Sequence, residues 1–183
     1  NFPYKQGFEA LRHSKSRYSD DGDTKEDNPG DVPLSEYETR AVADYLKYVR
    51  PHVVLNVHSG SRDIMTPYDC TFDVFPPHFN VMTNLAKHVR DLACPECSVG
   101  AGSVSLYPAV GTMVDYAIDY VGTQIALTFE IFASPDIPNN HQLTNEECRA
   151  YFNPEEGDAL KATVEKWLRV IVVTMNRILE IIQ

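Results

Sequence analysis

The chain has 183 residues, enough for one ordinary domain, and its 43% hydrophobic content excludes global disorder. Sixteen basic and twenty-six acidic residues give a formal net charge of -10, which repels a phosphate backbone and argues against nucleic acid as a partner. The longest apolar run, 170–174, is far shorter than the roughly 20 residues that a membrane-spanning helix needs.

The first part of the chain predicts a loop, a helix and a strand. Residues 13–31 are almost wholly polar and predict a long exposed loop. Ser35 and Glu38 have the spacing of a capping box, and apolar residues then recur at helical spacing until a proline ends the pattern. The β-branched run 53–57 predicts a buried strand with His58 at its end.

The middle of the chain predicts two helices with a loop between them. One helix is expected over 79–92, and the Gly- and Ser-rich stretch 100–105 predicts a loop. Thr112 can cap the next helix, which runs to about Tyr120 because Gly122 is a natural C-terminal stop.

The last third predicts a strand, a long loop and a C-terminal helix. Apolar residues alternate over 124–132, so Glu130 is expected to emerge from the end of a buried strand. Residues 133–157 are rich in Pro, Asn and Glu and predict a loop. A helix over 158–182 is expected to pack on the sheet. Its predicted apolar stripe consists of Leu160, Val164, Trp167, Leu168, Ile171, Met175, Ile178 and Ile182.

This alternation of strands and helices predicts an α/β fold, with a mixed, mainly parallel sheet flanked by helices. Sites in such sheets form at the carboxyl ends of strands, where both His58 and Glu130 are expected. A carboxylate in an apolar strand needs a partner, a metal or a functional role to offset its desolvation. Tyr107 follows the flexible 100–105 stretch, which would suit a mobile phenol near a site.

Four cysteines leave the redox compartment open, because they suit either two disulfides or a reduced protein. Cys94 and Cys97 have the spacing of half a zinc ribbon or of a redox motif. No second pair accompanies them, so a structural or incidental role is favoured over a small zinc or redox module.

Five segments carry a resemblance to a known family, and they occur in that family's order. They are 1–4 (Asn-Phe-Pro-Tyr), 33–42 (Pro-Leu-Ser-Glu-Tyr-Glu-Thr-Arg-Ala-Val), 56–59 (Asn-Val-His-Ser), 106–109 (Leu-Tyr-Pro-Ala) and 127–130 (Leu-Thr-Phe-Glu). Together they resemble the zinc metallocarboxypeptidases of the carboxypeptidase A/B type, with 1–183 as the C-terminal portion of a single catalytic domain.

The resemblance implies the release of single C-terminal residues from peptides or proteins, in a secreted or lumenal compartment by family habit. His58 would be a zinc ligand, and Glu130 the general base acting on zinc-bound water. Tyr107 would close over the C-terminal end of the substrate. Val114 lies near the position that lines the family's side-chain pocket, and its apolar character implies an apolar or aromatic C-terminal residue. Asp115, Asp119 and Arg62 lie near enough in sequence to alter that preference.

The chain departs from the family where the rest of the zinc site should be. Catalytic zinc needs three protein ligands. The family takes the other two from a His-x-x-Glu motif upstream of the segment that 1–4 resembles, and the sequence has no such motif. We therefore expect the N-terminal half of the domain to be absent from the sequence and to be needed as a partner. The alternative is an inactive relative that serves as a structural or interaction subunit.

Overall fold

The computed structural model describes residues 2–3, 32–137 and 143–182, so the loop predicted over 13–31 lies outside the described residues. The elements in chain order are α1 (Tyr37–Val49), β1 (Val53–His58), β2 (Asp63–Thr66), α2 (Phe79–Ala93), β3 (Ser98–Ala101), α3 (Gly102–Ser105), α4 (Met113–Tyr116), a π-helical turn (Ala117–Val121), β4 (Ile125–Glu130), α5 (Asn145–Phe152) and α6 (Asp158–Ile181).

The four strands form one mixed sheet in the order β1-β4-β2-β3. β1 is parallel to β4 and β2 is parallel to β3, whereas β2 and β4 are antiparallel. Two of the three pairings are parallel, which confirms the predicted α/β fold with a mixed, mainly parallel sheet. All six residues of β4 are buried, and because β1 runs parallel to it, the two strands end at the same edge.

Helix α1 follows the predicted periodicity but not the predicted cap. Glu36 is its N-cap residue and makes no side-chain capping bond, so the capping box of Ser35 and Glu38 is wrong. The helix begins one residue later than that box requires, and the Ser35 hydroxyl donates instead to the Glu36 carboxylate at 2.7 Å. The helix ends at Val49, followed by Arg50 in the left-handed conformation and then the predicted proline.

Helix α2 supplies a large part of the core on one face of the sheet. It begins at Phe79, as predicted, and ends at Ala93. Met82, Leu85, Ala86 and Val89 are all buried, at the spacing that places side chains on one face of a helix. This face packs against the strands, and α2 also contacts α6.

Three short elements near the sheet edge were not predicted. β2 and β3 have four residues each, too few to show a clear alternation. The loop predicted over 100–105 is wrong, because β3 passes directly into the single turn of α3. Tertiary contacts order this glycine-containing stretch: the Ser103 hydroxyl donates to the Thr71 carbonyl at 2.8 Å, and the Ser103 amide donates to the Tyr68 carbonyl.

Helix α4 begins and ends close to the predicted positions. Thr112 is its N-cap residue, as predicted by position, although its side chain makes no capping bond. The chain continues through the π-helical turn to Gly122, whose φ of 80° is the left-handed conformation that favours glycine. The predicted stop at Gly122 is therefore confirmed.

The loop predicted over 133–157 is wrong where α5 forms. This helix begins with a capping box: Thr144 accepts a hydrogen bond from the Glu147 amide, and the Glu147 carboxylate accepts one from the Thr144 amide. The signal is present in the sequence, but the surrounding Pro and Asn residues made a loop the more natural prediction.

Helix α6 covers the predicted stretch, but the predicted stripe is partly wrong. The residues buried on α6 are Trp167, Val170, Thr174 and Ile178. The exposed members of the predicted stripe are Leu160, Val164, Leu168, Met175 and Ile182. The helix carries two adjacent apolar stripes, and only one faces α2 and the sheet. None of the described helices is both long and apolar enough to cross a membrane.

Candidate functional site

The ends of β1 and β4 bring His58 and Glu130 together. The parallel register pairs these two residues, and the antiparallel register of β2 pairs Asp63 with the same glutamate. His58 Nδ1 lies 3.9 Å from Glu130 Oε1, which is longer than a hydrogen bond. Both residues therefore lie at the carboxyl edge of the sheet, where the sequence predicted them.

The imidazole of His58 is open to solvent and oriented by its own strand. Its side chain is 54% exposed, and Asn56 Nδ2 lies 2.8 Å from Nε2. Asn56 and His58 are two residues apart on β1, so their side chains project from the same face of the sheet. The amide engages Nε2 and leaves Nδ1 as the ring atom that faces Glu130.

Glu130 is almost fully buried, with 5% of its surface exposed. Its Oε2 atom is buried and has no hydrogen-bond partner among the described residues. Burial, and secondarily the negative charge of Asp63, raise the pKa of Glu130, while a hydrogen bond from the Ser61 amide partly offsets the rise. The raised pKa lies closer to neutral pH, and a general base is most effective when its pKa is near the working pH.

One cavity joins these two residues to Tyr107. All three side chains line it, and Tyr107 is half-exposed in the loop that follows α3. Met65, Leu106 and Met113 contribute apolar walls to the same cavity. The structure thus brings together three of the four residues that the sequence singled out.

Val114 is the fourth, and the structure places it behind the cavity wall. It is only 1% exposed and packs in the core, whereas its neighbours Thr112 and Met113 line the cavity. Its role in selecting the substrate side chain stays a prediction.

Asp69 also lines the cavity, and sequence reasoning missed it. Its Oδ1 atom is buried without a hydrogen-bond partner among the described residues, and a β-carbon placed on Gly102 would lie 1.9 Å from that oxygen. Only glycine therefore leaves room for the carboxyl group. Burial first, then the charge of Asp115, raise the pKa of Asp69 to about 7. Asp69 lies in a stretch without a regular helix or strand, so no periodic sequence pattern predicts its position.

Asp115 and Asp119 hold the turn that presents Asp69. Asp115 accepts hydrogen bonds from the backbone amides of Asp69 and Cys70 at 3.0 to 3.2 Å. Asp119 accepts a 2.7 Å hydrogen bond from the Tyr68 hydroxyl. Burial raises the pKa of Asp115. Neither carboxyl group lines the cavity: Asp115 acts on it through the backbone of residues 69 and 70, and Asp119 through the Tyr68 side chain.

Cys94 and Cys97 form a disulfide at the end of α2. Both are buried, and a disulfide leaves no thiolate for a metal. Cys70 and Cys148 are free. The pair is a structural link between α2 and β3, which supports the structural role over the zinc module.

The described residues fit one position of a zinc site and not a complete one. His58 offers a solvent-accessible imidazole, a group that zinc commonly takes as a ligand. Within the described ranges, no three His, Cys, Asp or Glu side chains come together as a metal site. The two further protein ligands that catalytic zinc needs are therefore not found beside His58 among the described residues.

Comparison with protein families gives one match that covers most of the chain. The family model described as "Zinc carboxypeptidase" matches residues 1–156. Among curated proteins, mouse carboxypeptidase A4 is 32% identical over 135 residues, covering 68% of this chain and 31% of that protein. Rat carboxypeptidase B is 30% identical over 108 residues, covering 56% of this chain and 26% of that protein. The chain thus spans about a third or less of these relatives.

Solved structures show the same fold at low sequence identity. Bovine thrombin-activatable fibrinolysis inhibitor, solved in complex with tick carboxypeptidase inhibitor, superimposes with a TM-score of 0.64 at 21% identity, covering 82% of this chain and 48% of that one. Carboxypeptidase A from Helicoverpa armigera gives a TM-score of 0.61 at 20% identity, covering 80% and 35% respectively. At this identity the likeness shows the fold alone.

Proposed function

This chain belongs to the zinc carboxypeptidase family, and on that premise we propose that it forms part of a zinc-dependent carboxypeptidase that releases single C-terminal residues from peptides. The observation that carries the proposal is the convergence of His58, Glu130 and Tyr107 on one cavity at the sheet edge. A metal ligand, a base and a phenol at one cavity are part of what metal-assisted peptide hydrolysis uses.

Glu130 acts as the general base. Its carboxylate is buried beside Asp63, and both burial and that charge favour uptake of a proton. It therefore takes a proton from the attacking water and passes it to the leaving amine. The short, buried β4 strand fixes its position, which limits the reorganisation needed during the reaction.

His58 contributes one metal ligand, and the remaining ligands come from a segment outside the described residues. Zinc, when bound, acts as a Lewis acid and lowers the pKa of a water molecule. The Asn56 side chain contacts Nε2 of His58 at 2.8 Å and restrains the orientation of the ring. We propose that the segment with the remaining metal ligands belongs to the part of the relatives' length that the chain does not span.

Tyr107 and Asp69 bind the C-terminal residue of the substrate. Tyr107 closes over the substrate from a half-exposed loop. The apolar or aromatic preference suggested by Val114 agrees with the apolar walls that Met65 and Met113 provide. Asp69 favours a second candidate, a basic C-terminal residue, because an ammonium or guanidinium group would satisfy its unpartnered Oδ1. We favour the basic residue, since an apolar side chain would leave the buried Oδ1 of Asp69 without a hydrogen-bond partner.

The test is the Glu130→Gln substitution in the protein assembled with its metal-ligating segment. We expect zinc to remain bound and peptide hydrolysis to fall by about 100-fold or more, the usual effect of removing a general base. Glu165→Gln, an exposed carboxylate on α6, is the matched control and should leave the rate unchanged. Undiminished turnover in Glu130→Gln would refute the assignment. Absence of hydrolysis in the zinc-loaded wild type would instead favour the inactive structural subunit.

A further inference from the structure

The chain stays bonded to the end of β1 after Glu130. The Ile131 amide donates a 2.8 Å hydrogen bond to the His58 carbonyl, and the Gly60 amide donates one of 2.7 Å to the Phe132 carbonyl. Strands β1 and β4 end at His58 and Glu130, so these bonds keep the two segments together beyond both strands. Glu130 therefore lies inside a bonded stretch of backbone and not at a free end.

Trp167 fastens this stretch to helix α6. Its indole Nε1–H donates a 2.7 Å hydrogen bond to the Ile131 carbonyl. Its ring packs on Phe129, with the ring centroids 5.5 Å apart, and 5% of the residue is exposed. Trp167 thus contacts the residue before Glu130 through its ring and the residue after Glu130 through its N–H group.

Trp167 lies on the opposite face of the sheet from the Glu130 carboxylate. Successive side chains of a strand point to opposite faces. Thr128 and Glu130 line the cavity, so Phe129 between them faces away from it, towards the Trp167 ring. Trp167 itself does not line the cavity. Its influence on hydrolysis must therefore pass through the backbone.

The position of the Glu130 carboxylate depends on that backbone. One of its oxygens, Oε2, has no hydrogen-bond partner among the described residues. The peptide unit that follows Glu130 is bonded through its N–H group to His58, and the next unit is bonded through the Ile131 carbonyl to Trp167. Without the indole N–H, this carbonyl loses its donor and the backbone after Glu130 gains freedom to move.

We propose that Trp167 is a positioning residue, which acts through the Ile131 carbonyl to fix Glu130 for its role as general base. This inference rests on the proposed function, which assigns proton transfer to Glu130. A general base must lie within hydrogen-bond reach of the proton it takes. A displacement of about 1 Å can lower the rate by about 100-fold, so a bond one residue from the base affects turnover.

The experiment measures kcat and KM of Trp167→Phe in the protein assembled with its metal-ligating segment and loaded with zinc. Phenylalanine keeps an aromatic ring beside Phe129 but lacks the N–H donor. We expect kcat to fall by about tenfold, because the base is displaced. KM should change by less than about twofold, because the cavity lies on the other face of the sheet. An unchanged kcat overturns the proposal.

Ile178→Ala is the matched control, because it also truncates a buried residue of α6 but removes no hydrogen-bond donor. Its kcat should stay within about twofold of the wild-type value at a temperature where both variants are folded. A second readout is the amide hydrogen exchange rate of Ile131 divided by that of Leu127, in the middle of β4. This ratio should rise by about tenfold in Trp167→Phe, because the end of β4 opens locally. It should stay unchanged in Ile178→Ala, which affects both amides alike.

If Trp167→Phe does not fold, Trp167 is replaced by benzothienylalanine, which keeps both rings and has sulfur in place of the N–H group. An unchanged kcat in that variant also overturns the proposal. The exchange ratio separates this inference from the proposed function. A raised ratio without hydrolysis by the zinc-loaded wild type refutes the function alone. Hydrolysis with an unchanged kcat and an unchanged ratio in the variant refutes the positioning role alone.

Discussion

Asp69 shows how one carboxyl group can set the chemistry of a cavity. It is held by its backbone, through hydrogen bonds from its own and the next amide to Asp115, and its side chain fits only because residue 102 is glycine. A carboxyl group with a pKa of about 7 is protonated in mildly acidic solution and ionised above neutrality. Its attraction for a cationic side chain must therefore depend on pH.

We predict that Asp69→Asn lowers kcat/KM for peptides ending in Lys by about tenfold or more, because a hydrogen bond to a charged group contributes about 1.5–3 kcal/mol. Peptides ending in Leu should change little. In the wild type the Lys-to-Leu ratio should rise as pH increases through about 7, since ionisation of Asp69 creates the attraction. In Asp69→Asn the ratio should be flat.

The quantity to measure is kcat/KM for the Lys peptide divided by kcat/KM for the Leu peptide, because ionisations that affect both substrates equally cancel in this ratio. Asp73→Asn, an exposed carboxylate further along the same segment, serves as the control and should retain both the ratio and its pH dependence. An Asp69→Asn variant with an unchanged Lys-to-Leu ratio would leave the apolar preference as the better account of the cavity.

Two of the site residues could be predicted from the sequence because they end regular elements. His58 and Glu130 end apolar strands, so their positions could be predicted from the pattern. The predicted burial is confirmed for β4 but wrong for β1, in which only Val54 is buried, because β1 is an outer strand of the described sheet. Asp69 follows a short strand and a bend, and it is brought to the cavity by contacts with residues more than 30 positions away. This position carries no local pattern, because tertiary contacts define its surroundings.

At the level of elements, long periodic segments were predictable and short ones were not. α1, α2 and α6 each span three turns or more, so their apolar periodicity is clear. The four-residue strands and the single turn α3 obtain their order from neighbours rather than from their own sequence. In α6 the periodicity predicted the helix but not which of two stripes is buried, because both are apolar.

The two stripes of α6 can be separated by mutation. We predict that Ile178→Ala lowers the free energy of unfolding by about 2–4 kcal/mol, because Ile178 is 1% exposed and its removal leaves a cavity. Leu168→Ala, at a position 57% exposed, should lower it by less than about 1 kcal/mol. Urea denaturation of both variants measures the difference. Equal losses would mean that the Leu168 stripe is covered in the assembled protein.

Many large apolar side chains are exposed in the part of the chain that the structure describes. β1 and β3 are the two outer strands of the described sheet, so each has one edge that lacks a partner strand within the described ranges. Large apolar side chains are also exposed on α1, β1 and α6. They include Tyr37, Tyr45, Tyr48, Val57, Leu168, Val172 and Leu179. Surfaces of this kind mark interfaces, and an unpaired strand edge favours association. We expect a further segment to cover these surfaces.

We therefore predict that zinc binding and solubility depend together on a second segment. Expressed alone, the chain should self-associate and retain no stoichiometric zinc after gel filtration. Co-expressed with a polypeptide that carries the His-x-x-Glu part of its relatives, it should run as a single species with one zinc per complex, because three ligands then converge.

Light scattering measures the association state, and atomic absorption measures the bound zinc. His58→Ala should keep the complex but lose the zinc, whereas Glu130→Gln should keep both. A monodisperse lone chain that binds zinc tightly would contradict this division of the site.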